Sequence, residues 1–264
     1  MLASVHMSDR PDLAALLADL RDEQADLQAL VEGSDLAAPT PAVGWDVRAT
    51  VSHLAGTDLE ARKAAVDPER FRRELAEPSC DVTSLLERHI EARRPLSREE
   101  LLTAWQAGFS GMLDAFAALP PGTKVPWYGP PMSPASFATA RLMEYWAHGQ
   151  DVVDAVGAVR PPTARLRHIC HLGVRTRGFS YVNRGRAAPA GEVRVALTAP
   201  DGTGWTWGQG PDAVLGSAEH FCLLVTQRRH RADLDLVATG PLADSWLDVA
   251  QAFAGPPGPG RPPS

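Results

Sequence analysis

Apolar residues recur at helical spacing along most of the first 157 positions. Between residues 11 and 32, Leu13, Leu16, Leu17, Leu20, Leu27 and Leu30 fall on one helical face, with acidic and amide residues between them. Residues 34–44 are small, polar and turn-forming, and read as a loop. Asp46 is a good N-cap, and Val47, Val51, Leu54 and Leu59 give the second helix its apolar stripe. His53, Gly56, Thr57 and Glu60 share a neighbouring face, where Gly56 leaves room beside the imidazole. A third helix is expected over 83–94, ending at Pro95. Ser97-Arg98-Glu99-Glu100 reads as a capping box opening a helix with Leu101, Trp105, Phe109, Met112 and Phe116 on one side. The prolines between 120 and 134 make a long, stiff loop, of the kind that rims or lids a pocket. Ser133 or Ser136 then starts a helix that runs to Gly157.

One more helix, over 163–184, leads out of this set, and then the period changes. Val193, Val195 and Leu197 alternate with polar or small residues, as do Trp205 and Trp207, with Pro200-Asp201-Gly202 as the turn between two strands. A helix over 217–229, a strand over 234–238 and a helix over 242–254 follow. The fold expected is mainly α: an antiparallel four-helix bundle over 8–185, then a small α+β domain over 186–255. The Pro/Gly-rich tail, 256–264, is expected to be disordered or draped.

Composition narrows the class. The 264 residues are 44% hydrophobic and 22% charged, ordinary for a globular protein, and a net charge of −6 offers no basic face for nucleic acid. Lys63 and Lys124 are the lysines; all other positive side chains are arginine, a bias that coding from a GC-rich genome explains without any binding site. Cys80, Cys170 and Cys222 are odd in number and widely spaced, which argues against a disulfide framework and a cysteine zinc site. No apolar run is long enough for a membrane span, and residues 1–10 lack the apolar core of a signal peptide, so a cytoplasmic protein is expected. Motifs for a serine hydrolase, a P-loop or a dinucleotide fold are missing from the sequence.

The candidate chemistry sits in Glu144-Tyr145-Trp146-Ala147-His148. Glu144 and His148 lie one helical turn apart, so a carboxylate and an imidazole share a face. With a third ligand they can hold one metal ion, and His53 is the best candidate. Taken alone, such a pair is more often exposed and solvated. Two His and one Glu would leave a coordination position open, the pattern of a catalytic rather than structural zinc site. Asp151, three residues beyond His148, either orients that imidazole, acts as a base, or is solvated. His168 and His171 read as surface or interface residues, and His6, His89, His220 and His230 have no obvious partners.

Gly44-Trp45-Asp46-Val47, Ser52-His53-Leu54-Ala55 and Glu144 through Asp151 together resemble the DinB-like superfamily, and more closely the mycothiol-dependent maleylpyruvate isomerases of actinobacteria. The resemblance implies a four-helix bundle whose divalent metal, usually zinc, is held at positions matching His53, Glu144 and His148. It implies a sterol-carrier-like α+β domain with an arginine at the end of its helix facing the metal, here Arg228 or Arg229. It also implies mycothiol as a low-molecular-weight thiol co-substrate, a small electrophilic substrate, and a monomer or homodimer. Relatives include thiol transferases of antibiotic assembly. Residues 171–177 and 251–257 resemble instead an uncharacterised metal-binding branch of the superfamily. The reactions in view are thiol transfer or isomerisation, zinc-dependent hydrolysis, or non-enzymatic carriage of a small ligand.

Overall fold

The computed structural model describes residues 12–77, 81–258 and 260–263; Cys80 and His6 lie outside them. Contacts divide the chain into two units that part between Val159 and Arg160. The first contains α1 (Leu13–Glu32), α2 (Val47–Val66), α3 (Pro68–Leu75), α4 (Val82–Arg93), α5 (Arg98–Ala117) and α6 (Pro134–Val156). Its core is a four-helix bundle in which α2 packs along α5 and α1 along α6. Leu16 and Leu20 of α1, Val51 and Leu54 of α2, Trp105 and Phe116 of α5, and Leu142 of α6 have no solvent exposure.

The helix ends follow from local chemistry. The Asp46 carboxylate accepts from the Ala49 amide at 2.7 Å and fixes where α2 begins. Ser97 and Glu100 form the reciprocal capping box at the start of α5. Ser133 caps α6 ahead of Pro134, and Gly157 ends that helix in the left-handed conformation, φ 64°. Because α3 and α4 also pack on α2, that helix is buried on nearly every side. It nevertheless carries Thr50, Ser52, His53, Thr57, Asp58 and Glu60 into the interior. An amphipathic bundle helix would place such residues outside, so each needs a partner or a purpose.

The second unit contains α7 (Leu166–Arg175), α8 (Arg177–Val182), β1 (Val193–Thr198), β2 (Gly204–Trp207), β3 (Asp212–Ser217), α9 (Ala218–Val225), β4 (Val237–Thr239) and α10 (Pro241–Leu247). The sheet order is β2-β1-β3-β4; β1 pairs antiparallel with β2 and parallel with β3, and β3 pairs antiparallel with β4. Val193, Val195 and Leu197 face the core, and Leu197 lies opposite Trp205 in the expected hairpin.

Several boundaries differ from those expected. The units part well before 185, because α7 packs on α9 and α8 on α10. The helix expected over 163–184 breaks at Thr176, whose hydroxyl donates to the carbonyls of Leu172 and Gly173. The helix expected to reach Arg229 stops at Val225, and Gln227 turns the chain at φ 58°. The last helix ends at Leu247, not 254. Strand β3 is not among the elements expected from the sequence. Just ahead of the tail, the Asn183 amide donates to the carbonyl of Gly255 at 2.7 Å.

Candidate metal centre

α2 and α6 bring His53, Glu144 and His148 together. The Nε2 atom of His148 lies 3.4 Å, and that of His53 3.7 Å, from the same Glu144 oxygen, and ligand atoms of all three fall within 4.8 Å of one another. Zinc held tetrahedrally at its usual nitrogen and oxygen distances places neighbouring donors about 3.3 Å apart. The two shorter separations therefore suit a shared ion better than direct hydrogen bonds.

The surroundings support the same fit. His53 is 7% exposed, yet neither ring nitrogen has a hydrogen-bond partner. A buried imidazole left in that state costs free energy unless something else coordinates it. Burial lowers the His53 pKa to about 4; Glu144 opposes the shift, and His148 and Arg141 add to it. Burial pushes the Glu144 carboxyl up, but the close His148 and His53 imidazoles outweigh this and hold it well below the usual carboxylate range. At neutral pH the cluster thus presents a neutral imidazole and a carboxylate, the ligand forms a cation needs. Nδ1 of His148 lies 3.2 Å from a carboxylate oxygen of the fully buried Asp151, leaving Nε2 toward Glu144. A carboxylate behind a ligating histidine is the usual orienting arrangement. Half-buried Trp45 packs over both imidazoles, stacked on His148 with centroids 5.6 Å apart and tilted on His53 at 5.0 Å.

Two further polar clusters on α2 have no local signature in the sequence. Asp58, fully buried, accepts from Arg141 at 2.9 Å and from the Tyr145 hydroxyl at 2.5 Å; Tyr145 in turn accepts from Trp105 at 2.7 Å. This network ties α2 to α6 beside His53, Glu144 and His148. Further along α2, Glu60 accepts from Tyr128 at 3.2 Å and pairs with Lys63 at 2.6 Å, with His89 at 3.3 Å. Burial raises the Glu60 pKa, but His89 and Lys63 overcome it and bring it down to about 2. His89, expected to lack partners, also fills the space at Gly56: a β-carbon there would meet His89 Cβ at 2.5 Å. The proline loop is pinned rather than loose. Val125 and Met132 bridge, Tyr128 reaches Glu60, and Trp127 stacks on Phe71. The loop's Tyr128 helps line a cavity of about 210 Å³ with Glu60, Lys63, Phe71 and Glu74.

Residues 12–153, more than half of the chain, match the mycothiol maleylpyruvate isomerase N-terminal domain. The chain belongs to that family. The match spans α1 to α6 and includes His53, Glu144, His148 and Asp151 within this mycothiol maleylpyruvate isomerase N-terminal domain. Two uncharacterized proteins of Mycobacterium tuberculosis, from strains CDC 1551 / Oshkosh and H37Rv, are each 45% identical over 255 residues, covering 95% of this chain and 99% of theirs. Crystal structures of the mycothiol-dependent maleylpyruvate isomerase and of a mutant of it share the fold at a TM-score of 0.60, with 16% identity, covering 88% of this chain and 96% of theirs.

Arg228 and Arg229 follow α9 in the second unit. Arg228 donates to the carbonyl of Thr226 at 2.6 Å, and Arg229 to that of Arg228 at 2.7 Å. Among the described residues, no helix is long and apolar enough to cross a membrane.

Proposed function

We propose that the protein is a metal-dependent enzyme that uses mycothiol as a thiol co-substrate, transferring it to, or isomerising through it, a small electrophilic metabolite. The observation that carries this reading is the convergence of His53, Glu144 and His148 within a chain of the mycothiol maleylpyruvate isomerase N-terminal domain family. His53, Glu144 and His148 hold a divalent cation, with zinc the best match to two imidazoles and one carboxylate. When bound, the cation supplies Lewis acidity that lowers the pKa of a sulfur or water ligand toward neutrality. Glu144 contributes the negative charge that retains the cation, and His53, neutral at physiological pH, contributes a lone pair without repelling it. Asp151 positions His148 through Nδ1; its complete burial behind the imidazole favours that role over direct proton transfer to substrate. Arg228 or Arg229 holds a substrate carboxylate or a developing oxyanion through a charge-assisted hydrogen bond.

Metal analysis of the purified protein beside His53→Ala and His148→Ala variants tests the ligand set. About one equivalent is expected in the parent and a loss of stoichiometric metal in each variant; full retention in both would refute the site. Turnover of a panel of electrophiles that includes maleylpyruvate is expected to require added mycothiol. Activity without any low-molecular-weight thiol would instead favour hydrolysis.

A further inference from the structure

The second unit holds two thiols that this reading does not use. Cys170 on α7 and Cys222 on α9 are wholly buried, free, and have their sulfurs 3.5 Å apart. That is van der Waals contact, against about 2.05 Å in a disulfide. The contact belongs to a close helix crossing. A β-carbon at Gly173 would meet Phe221 Cε1 and Val225 Cγ1, each at 3.0 Å, so glycine there lets α7 and α9 approach. The thiols are also held reciprocally. Cys170 donates to the carbonyl of Ala218 at 3.7 Å and Cys222 to that of Leu166 at 3.6 Å. Each acceptor lies one turn before the other cysteine on its own helix, so both sulfurs sit at the crossing point.

We propose that Cys170 and Cys222 form a modification site, a reversible disulfide stapling α7 to α9, with a low-molecular-weight disulfide as oxidant. The exchange balances. One cysteine attacks the small disulfide RSSR, forming a mixed disulfide and releasing one RSH. The other attacks the protein sulfur of that mixed disulfide and releases the second RSH. Two thiol protons and two electrons leave the protein, and one S–S bond forms. Both sulfurs are buried, and burial, reinforced by Cys170, pushes the Cys222 thiol well above its usual range. The first attack therefore waits on local opening of α7 from α9, which makes oxidation slow. Once formed, the bond ties positions 52 residues apart and removes freedom from the unfolded chain, so the oxidised protein is the more stable. It also fixes α9, whose end leads to Gln227, Arg228 and Arg229. Any effect on turnover through those arginines rests on the functional reading above; the bond itself does not.

The test exposes the full-length protein to hydroxyethyl disulfide, blocks remaining thiols with N-ethylmaleimide, and digests it with trypsin without reduction. A cross-link between the peptides His168–Arg175 and Val195–Arg228 is expected, with a raised melting temperature, both reversed by dithiothreitol. Cys80→Ser should retain both, and Cys170→Ala and Cys222→Ala should lose both. If neither alanine variant folds, peptide mapping on the Cys80→Ser protein still decides. Alkylation of both cysteines after prolonged exposure, mixed disulfides that never resolve, or a bridge made by Cys80 would each overturn the proposal. Absence of metal or of thiol-dependent turnover would refute the functional reading while leaving the cross-link intact.

Discussion

Helices α2 and α6 meet at two polar clusters that look alike in composition and differ in bonding. In one, Asp58, Arg141, Tyr145 and Trp105 form a chain of directional hydrogen bonds, with Arg141 Nε left over. In the other, His53, Glu144 and His148 converge at separations too long for good hydrogen bonds, and both His53 nitrogens go without a partner. The first cluster is closed by protein partners but for that one nitrogen. The second is complete only with something added. A buried polar group that is satisfied holds a fold together, whereas one left unsatisfied and facing its like is a place prepared for a ligand.

The two clusters separate under mutation. Asp58→Ala strands the buried Arg141 charge and should cost about 3–5 kcal/mol of stability, read by urea denaturation. An unfolding free energy unchanged from the parent would place Asp58 outside the structural network. Asp151→Asn has the opposite profile, weakening metal affinity about 10–100-fold, measured by competition with a chelating dye, with metal-free stability much less affected. Gly56→Ala drives a methyl into His89 and should destabilise by about 1–3 kcal/mol, and a smaller residue at position 89 should relieve part of the loss.

The last effect is electrostatic and is spread over a range of pH. The folded-state pKa of His53 is lowered to about 4 from 6.5, so as pH falls through that window the unfolded chain takes up a proton that the folded one refuses. Metal-free protein should therefore lose stability on acidification between those values, by at most about 1.4 kcal/mol per pH unit from this residue, with the loss levelling off below 4. Glu144, whose folded pKa is depressed, adds a further loss only once pH drops below 4.5. Comparing pH–stability curves of the parent and His53→Ala isolates the first contribution; identical slopes from pH 6.5 to 4.5 would contradict it.

Local chemistry made much of the bundle legible. The Asp46 cap and the Ser97–Glu100 box marked where α2 and α5 begin, and the spacing of Glu144 and His148 placed both on one face of α6. Non-local partners were not legible. Asp58 meets Arg141 across 83 residues, and nothing in either segment announces the pairing. His89 gives no local sign of its role, because its space is made by a glycine on another helix. β3 is short, ends in Gly216 and Ser217, and acquires its extended form from β1 and β4 on either side, which a local pattern does not report. The break at Thr176 is a competition between side-chain and backbone hydrogen bonding that apolar periodicity does not register.

Trp45 lies flat on His148 and tilted on His53, so its indole samples the electronic state of both imidazoles at once. Protonating those rings, or committing their lone pairs to a cation, changes what the excited indole sees, and the emission of the chain becomes a titration curve for the cluster. Subtracting the spectrum of a Trp45→Phe variant removes the other tryptophans. What remains is an optical gauge of occupancy that needs neither a substrate nor an assay of turnover.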